Sequence, residues 1–134
     1  MESDDGERTN VDQKLLLMQV SNEMVRIYKT QFGRGPTKAR TDWAGPDTLI
    51  STLENSLTPA ERNMVAMGEH QRLRDTRMFF QYAAEEEFRS IIERLTGRKV
   101  RAFVSGIDTH RDVSSEIFYL APSGEDGGDP ARPD

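Results

Sequence analysis

The spacing of apolar residues predicts a chain that opens with one long helix followed by a hairpin. Residues 12–31 carry apolar side chains three and four positions apart, which is the period of an amphipathic helix. Gly33 suits the position after the last helical turn, and Pro36 prevents continuation of the helix. Residues 37–43 and 48–55 then alternate between apolar and polar positions, which predicts the two strands of a β-hairpin.

The middle of the chain predicts two further helices. The sequence SLTPAER contains a capping box, in which the side chains of Thr58 and Glu61 bond each other's backbone N–H groups, with a proline at the first helical position. We expect a helix to begin there and to end or bend at Gly68. A second apolar stripe predicts one continuous helix over residues 70–96.

The remaining ordered part predicts a second hairpin, with strands at residues 99–107 and 113–121. Two hairpins can join into one antiparallel sheet with helices on one face, so the order α-β-β-α-α-β-β predicts an α+β fold. The polar segments 1–10 and 123–134 cannot bury apolar surface, and we expect both to be disordered tails. The prediction is therefore a single domain over residues 11–122.

Composition restricts the classes of function. The 134 residues carry a formal net charge of −5 and include no cysteine and two histidines. An acidic chain disfavours nucleic-acid binding, which needs a broad basic face, and no spacing typical of metal ligands is present. We therefore expect no metal and no cofactor. Neither a signal peptide nor an apolar run of about 20 residues is recognisable, so we expect a cytoplasmic protein without direct membrane insertion.

The main candidate site is the basic turn QFGRGPTKARTDWAG (31–45), which combines glycines with three cations on an acidic chain. Glycines let backbone N–H groups approach an anion, and lysine and arginine supply charge. The turn lacks the phosphate-loop pattern and precedes a strand rather than a helix, which disfavours a nucleotide site. Two interpretations stay open: a site for a small anion or an acidic partner, or a helix end that leads into a basic edge strand. The candidate binding residues are Arg34, Gly35, Thr37, Lys38 and Arg40.

Weaker candidates lie in the second half of the chain. Arg72, Arg74 and Arg77 form a secondary basic patch near the start of a predicted helix, for which a solvated charged face is the alternative interpretation. His110, in the polar loop of the second hairpin, or an aspartate is the candidate base. An enzyme acting on a small anionic substrate would need that loop beside residues 38–40. No catalytic motif is present, so we assign no catalytic residue.

The chain resembles a known family in three segments, which are YKTQFGRGPTKAR (28–40), SLTPAER (56–62) and LTGRKVRAF (95–103), followed by a strand that contains EIFYL. This bacterial and archaeal family is named after the C subunit of the Na⁺-translocating membrane-potential-generating system, MpsC. The resemblance covers about residues 11–121. It implies a small α+β domain, a link to a membrane system that couples Na⁺ or bicarbonate uptake to membrane potential, and no established catalytic residues.

These observations together favour a non-catalytic accessory or regulatory domain. We expect it to bind a small anion or an acidic partner through the basic turn, and a membrane transporter subunit is the partner that the resemblance implies. A homodimer is expected because a second copy would cover the open face of a thin sheet. The alternative is an enzyme that acts on a small anionic substrate.

Overall fold

Four helices and a four-stranded antiparallel sheet make up the part of the chain that the structure describes. The computed structural model describes residues 2–123, with side chains from Asn10 onward. The elements are α1 (Glu2–Phe32), β1 (Lys38–Trp43), β2 (Thr48–Glu54), α2 (Pro59–Ala66), α3 (His70–Ala83), α4 (Glu85–Thr96), β3 (Val100–Asp108) and β4 (Val113–Leu120). The strand order is β1-β2-β4-β3, so the two hairpins join through β2 and β4. This confirms the predicted α+β class.

The helices cover one face of the sheet, and the core lies between them and the strands. Leu49 and Leu53 of β2 and Phe118 and Leu120 of β4 are buried on that face, as alternation in the sequence predicts. They pack against the apolar stripes of α1 and α4, including Met24. The opposite face of the sheet is only partly buried in the described part of the chain.

α1 is longer than its apolar stripe predicts. The helix begins at Glu2 rather than near Asp12, so the structure assigns helix to residues 2–10, for which composition predicts a disordered tail. The segment contains no proline, and a helix that is already formed extends at little cost because each added residue gains a hydrogen bond. The second predicted tail, 123–134, lies outside the described residues except for Ser123.

The predicted helix over residues 70–96 is wrong in one respect, because the structure divides it at Ala84 into α3 and α4. Neither glycine nor proline marks the break in the sequence. Glu85, Glu86 and Glu87 form the first turn of α4, where carboxylates interact favourably with the positive end of the helix dipole. The capping box at Thr58 is confirmed, since both of its reciprocal hydrogen bonds are present.

Within residues 2–123, none of the helices combines the length and the apolarity that crossing a bilayer demands.

Candidate functional site

The end of α1 and packing against that helix account for Gly33 and Gly35 of the basic turn. Gly33 adopts a positive φ of 77° at the end of α1, and its N–H group donates to the carbonyl oxygen of Lys29 at 2.9 Å. A Cβ atom at Gly35 would lie 3.3 Å from Cγ1 of Val25 and 3.6 Å from Cβ of Lys29. Gly35 therefore lets the turn lie close against α1, and both glycines have structural roles.

The cationic side chains of the turn contact different parts of the molecule. Nη1 of Arg34 donates to the carbonyl oxygens of Asn55 and Leu57 at 2.6 and 3.1 Å, which ties the turn to the segment after β2. Arg40 is exposed and forms an ion pair with Asp42 at 3.2 Å. The candidate residues therefore do not converge as a set, although Thr37 and Lys38 line one pocket together.

That pocket, which we call the basic pocket, lies where the start of β1, the end of β2 and the β3–β4 loop meet. Its volume is about 310 Å³, and it is lined by Thr37, Lys38, Glu54, Asn55, Arg62, Arg111 and Asp112. Within the described chain, the side chains of Lys38 and Arg111 make no ion pair, whereas Arg62 pairs with Asp112 at 3.2 Å. Three cations thus face one concavity that also contains two carboxylates. Lys38 is one of the binding residues that the basic turn predicts. Arg111 was not among them, because the fold brings it to the pocket from a distant part of the sequence.

Asp112 holds the floor of the basic pocket in place. Its carboxylate accepts the backbone N–H groups of Ser56 and Leu57 at 2.9 and 3.1 Å, and its carbonyl oxygen accepts the N–H group of Asn55 at 3.0 Å. Asn55 and Asp112 both have positive φ, at 60° and 56°, which is uncommon for residues other than glycine. Strained backbone that the surroundings hold in this way often accompanies binding sites.

A second pocket, the apolar pocket, adjoins the first through Arg62 and Asp112, which line both. Its volume is about 260 Å³, and its other lining residues are Leu57, Val65, Ala66, Thr109 and His110. The ring of His110 packs on that of His70, with 4.5 Å between centroids. The sequence did not predict this contact, because the two histidines are 40 residues apart. No group of three or more histidine, aspartate or glutamate side chains in the described residues is arranged to hold a metal ion.

The structure separates the three arginines of the secondary basic patch. Arg72 and Arg74 are exposed on α3, but Arg77 is fully buried. Its guanidinium donates to both carboxylate oxygens of Glu61, at 2.6 and 2.7 Å, and lies 3.6 Å from the ring centroid of Phe32. Arg77 is therefore an internal tie between α3 and the start of α2. It cannot contribute to a surface patch, because it is buried on the same stripe of α3 as Leu73 and Gln81.

A row of polar side chains crosses the buried face of the sheet. Thr41, Ser51, Glu116 and Ser105 lie opposite one another in β1, β2, β4 and β3, and all four are buried. The hydroxyl groups of Thr41 and Ser51 are 2.9 Å apart. The signal in the sequence is the period of two, which places Ser51 between Leu49 and Leu53 on the inward face.

Glu116 is the titratable group of this row. Its carboxylate accepts hydrogen bonds from the hydroxyl of Tyr28 and, at 3.2 Å, from the side-chain amide of Gln81. Burial raises the pKa of Glu116 to about 8, although hydrogen bonds to Ser105, Tyr28 and Gln81 act in the opposite direction. Burial, together with the charge of Glu116, raises the pKa of the Tyr28 hydroxyl well above its usual value. The carboxyl group of Glu116 therefore keeps its proton to a higher pH than an exposed glutamate does.

The described strands and both pockets lie within a segment that matches one protein family. No curated protein and no solved structure matches the chain. A family model described as "Na+-translocating membrane potential-generating system (MpsC)" matches residues 12–122, which include every strand and both pockets. The chain therefore belongs to the MpsC family.

Proposed function

We propose that this protein is a cytoplasmic, non-catalytic accessory subunit of a Na⁺-translocating membrane system, and that it binds a small anion in the basic pocket. The family description supports the first part of the proposal. The observation that carries the second part is the convergence of Lys38 and Arg111, which have no ionic partner in the described chain, on one pocket with Arg62.

Electrostatics favours an anion over a cation there. Lys38, Arg62 and Arg111 outnumber the carboxylates of Glu54 and Asp112, so the lining carries a positive excess on a chain whose net charge is −5. The carboxylate of Asp112 is already occupied by backbone N–H groups and by Arg62. A bound carboxylate or phosphate would receive charge-assisted hydrogen bonds from Lys38 and Arg111.

The test is calorimetric titration with bicarbonate and with inorganic phosphate at low ionic strength. We expect the double substitution Lys38→Ala and Arg111→Ala to weaken binding at least about tenfold, because it removes two charge-assisted contacts of about 1.5–3 kcal/mol each. Arg40→Ala is the matched control, since it removes an exposed cation of β1 outside the pocket, and it should leave the affinity unchanged. An equal loss in both variants, or no binding of bicarbonate, of phosphate or of the organic carboxylates acetate, butyrate and hexanoate, would contradict the proposal.

The second candidate is an enzyme that acts on a small anionic substrate. Its support is that Lys38 of β1 and Arg111 of the β3–β4 loop line one pocket. His110, from the same loop, lines the adjoining pocket. His110 would be the base, because the carboxylate of Asp112 is occupied. Proton and carbon NMR of an organic anion held with the protein would test this candidate. Turnover that disappears in His110→Asn would favour it, and an unaltered anion after prolonged incubation would reject it.

An apolar stripe on α1 supports the further proposal that the protein is a homodimer. Val11, Leu15 and Met18 are 62%, 46% and 54% exposed, and their spacing of four and three residues is that of a coiled-coil seam. Asn22 continues the seam at a core position, where asparagine is known to pair with its counterpart in a parallel two-stranded coiled coil. A second copy of α1 would cover this stripe and bring the two Asn22 side chains together.

Sedimentation and cross-linking test the dimer. Leu15→Glu should weaken dimerisation at least about tenfold, because it would bury a carboxylate from each copy. Thr30→Glu, on an exposed position of α1 outside the seam, is the control. The chain has no cysteine, so Asn22→Cys introduces a single thiol, and oxidation should yield a covalent dimer if the helices are parallel. A monomer at all concentrations, or a dimer that Leu15→Glu leaves intact, would refute the proposal.

A further inference from the structure

The two pockets differ in chemistry although they share the Arg62–Asp112 ion pair. The basic pocket presents three cations, two carboxylates and the side-chain amide of Asn55, whereas Leu57, Val65 and Ala66 give the neighbouring pocket an apolar floor. Arg62 lies between them with its side chain half exposed. A ligand that extends past Arg62 would meet a charged environment at one end and an apolar one at the other.

From this arrangement we infer that the site takes an amphipathic organic anion. Its carboxylate or phosphate group lies between Lys38 and Arg111, and its apolar part lies on Leu57, Val65 and Ala66. The inference rests on the proposed anion binding for the charged end and adds the chemical class of the ligand. It also assigns a binding role to the apolar floor, which nothing in the basic turn predicts.

Size argues for an organic anion over an inorganic one. A water molecule occupies about 30 Å³, and bicarbonate and phosphate have only four or five heavy atoms each. Such an ion would fill a small part of the basic pocket, of about 310 Å³, and would leave the apolar pocket, of about 260 Å³, unused. Ligand sites combine apolar surface with polar groups that fix orientation, and here Leu57, Val65 and Ala66 of the second pocket supply the apolar surface.

Arg62 is suited to hold the middle of such a ligand. Its Nη2 donates to the carboxylate of Asp112 and to the side chain of Asn55, and its Nε donates to the carbonyl oxygen of Leu57 at 3.4 Å. Its Nη1 makes no hydrogen bond to any residue that the structure describes. These contacts position the guanidinium and leave Nη1 for a ligand oxygen.

A series of straight-chain carboxylates tests the inference by calorimetry. Acetate, butyrate and hexanoate share one charged group and differ in apolar length, so the affinity should rise up to about fourfold for each methylene that is buried. Val65→Thr keeps the shape of the side chain but places a hydroxyl on the apolar floor. We expect it to reduce the gain from acetate to hexanoate several-fold and to leave acetate binding unchanged. Met67→Gln, at an exposed position just after α2 that lines neither pocket, is the control.

The outcomes separate this inference from the proposed function. Equal affinities for acetate and hexanoate, with binding lost in the Lys38→Ala and Arg111→Ala variant, would overturn the inference and leave anion binding intact. Hexanoate binding that depends on Val65 but not on Lys38 and Arg111 would also overturn it, because the charged end would then lie elsewhere. Absence of binding for all three carboxylates and for phosphate would overturn both.

Discussion

Replacing Arg77 with alanine is expected to lower the free energy of unfolding by about 3–5 kcal/mol, the range observed when one partner of a buried ion pair is removed. Arg77 is fully buried, and its loss leaves the carboxylate of Glu61 without its guanidinium and Phe32 without its cation. It also removes the hydrogen bond from Nη2 to the carbonyl oxygen of Ser56, at 3.0 Å. Urea denaturation of the variant and of the wild type at pH 7 measures the difference.

Two further variants separate the ion pair from simple loss of volume. Arg74→Ala, on the exposed side of the same helix, should change stability by no more than about 0.5 kcal/mol. Arg77→Met combined with Glu61→Gln removes both charges, retains bulk and keeps a side chain that can complete the capping box. The double variant should recover most of the stability that Arg77→Ala loses. If it is as unstable as Arg77→Ala, the charge left on Glu61 does not account for the effect.

Glu61 connects this ion pair to the pH dependence of folding. Burial alone would raise the pKa of Glu61, but hydrogen bonds from Arg77 and from Thr58 outweigh it and lower the pKa. A carboxyl group whose pKa is lower in the folded state stabilises the protein above its unfolded pKa, and that contribution is lost as the pH falls through the folded value. The effect of Arg77→Ala should therefore shrink in acid.

Local chemistry predicts much of the fold. Thr58 and Glu61 bond within one turn, and Gly33 and Gly97 end their helices in the left-handed conformation, so these boundaries depend on neighbours in sequence. The break at Ala84 has no such local signal. It depends on how α3 and α4 pack against different parts of the molecule, because α3 contacts β3 whereas α4 also contacts α1.

The site was less predictable because most of its contacts join residues far apart in the chain. The basic turn predicts Lys38, which does line a pocket. The sequence around Arg34 gives no sign that Arg34 donates to the carbonyl oxygens of Asn55 and Leu57. Arg111 joins Lys38 only because β2 and β4 are neighbours in the sheet. Periodicity could have found Arg77, since it lies four residues after the buried Leu73 and four before the buried Gln81.

Glu116 should make the protein less stable as the pH rises from about 5 to about 8. The folded state holds the proton of Glu116 up to a pKa of about 8, whereas the unfolded chain releases it near its ordinary value of 4.5. Between these values the unfolded state binds fewer protons, so the free energy of unfolding decreases with pH. The folding equilibrium constant should fall by up to about tenfold per pH unit and then level off above pH 8. Urea denaturation at intervals between pH 5 and pH 9 measures this decline.

Glu116→Gln provides the matched comparison, because glutamine keeps the shape of the side chain and hydrogen-bonding groups for Tyr28 and Gln81 but does not titrate. Subtracting the stability of the variant from that of the wild type removes the pH dependence of the other titrating groups, because the substitution leaves those groups in place. It should shift progressively in favour of the variant as the pH rises towards 8. Glu61 does not imitate this behaviour, because its lowered pKa gives a contribution of opposite sign that changes below pH 4.5. A difference that stays constant from pH 5 to pH 9 would mean that folding does not change the pKa of Glu116. Water would then have to reach the buried polar row and solvate the carboxylate.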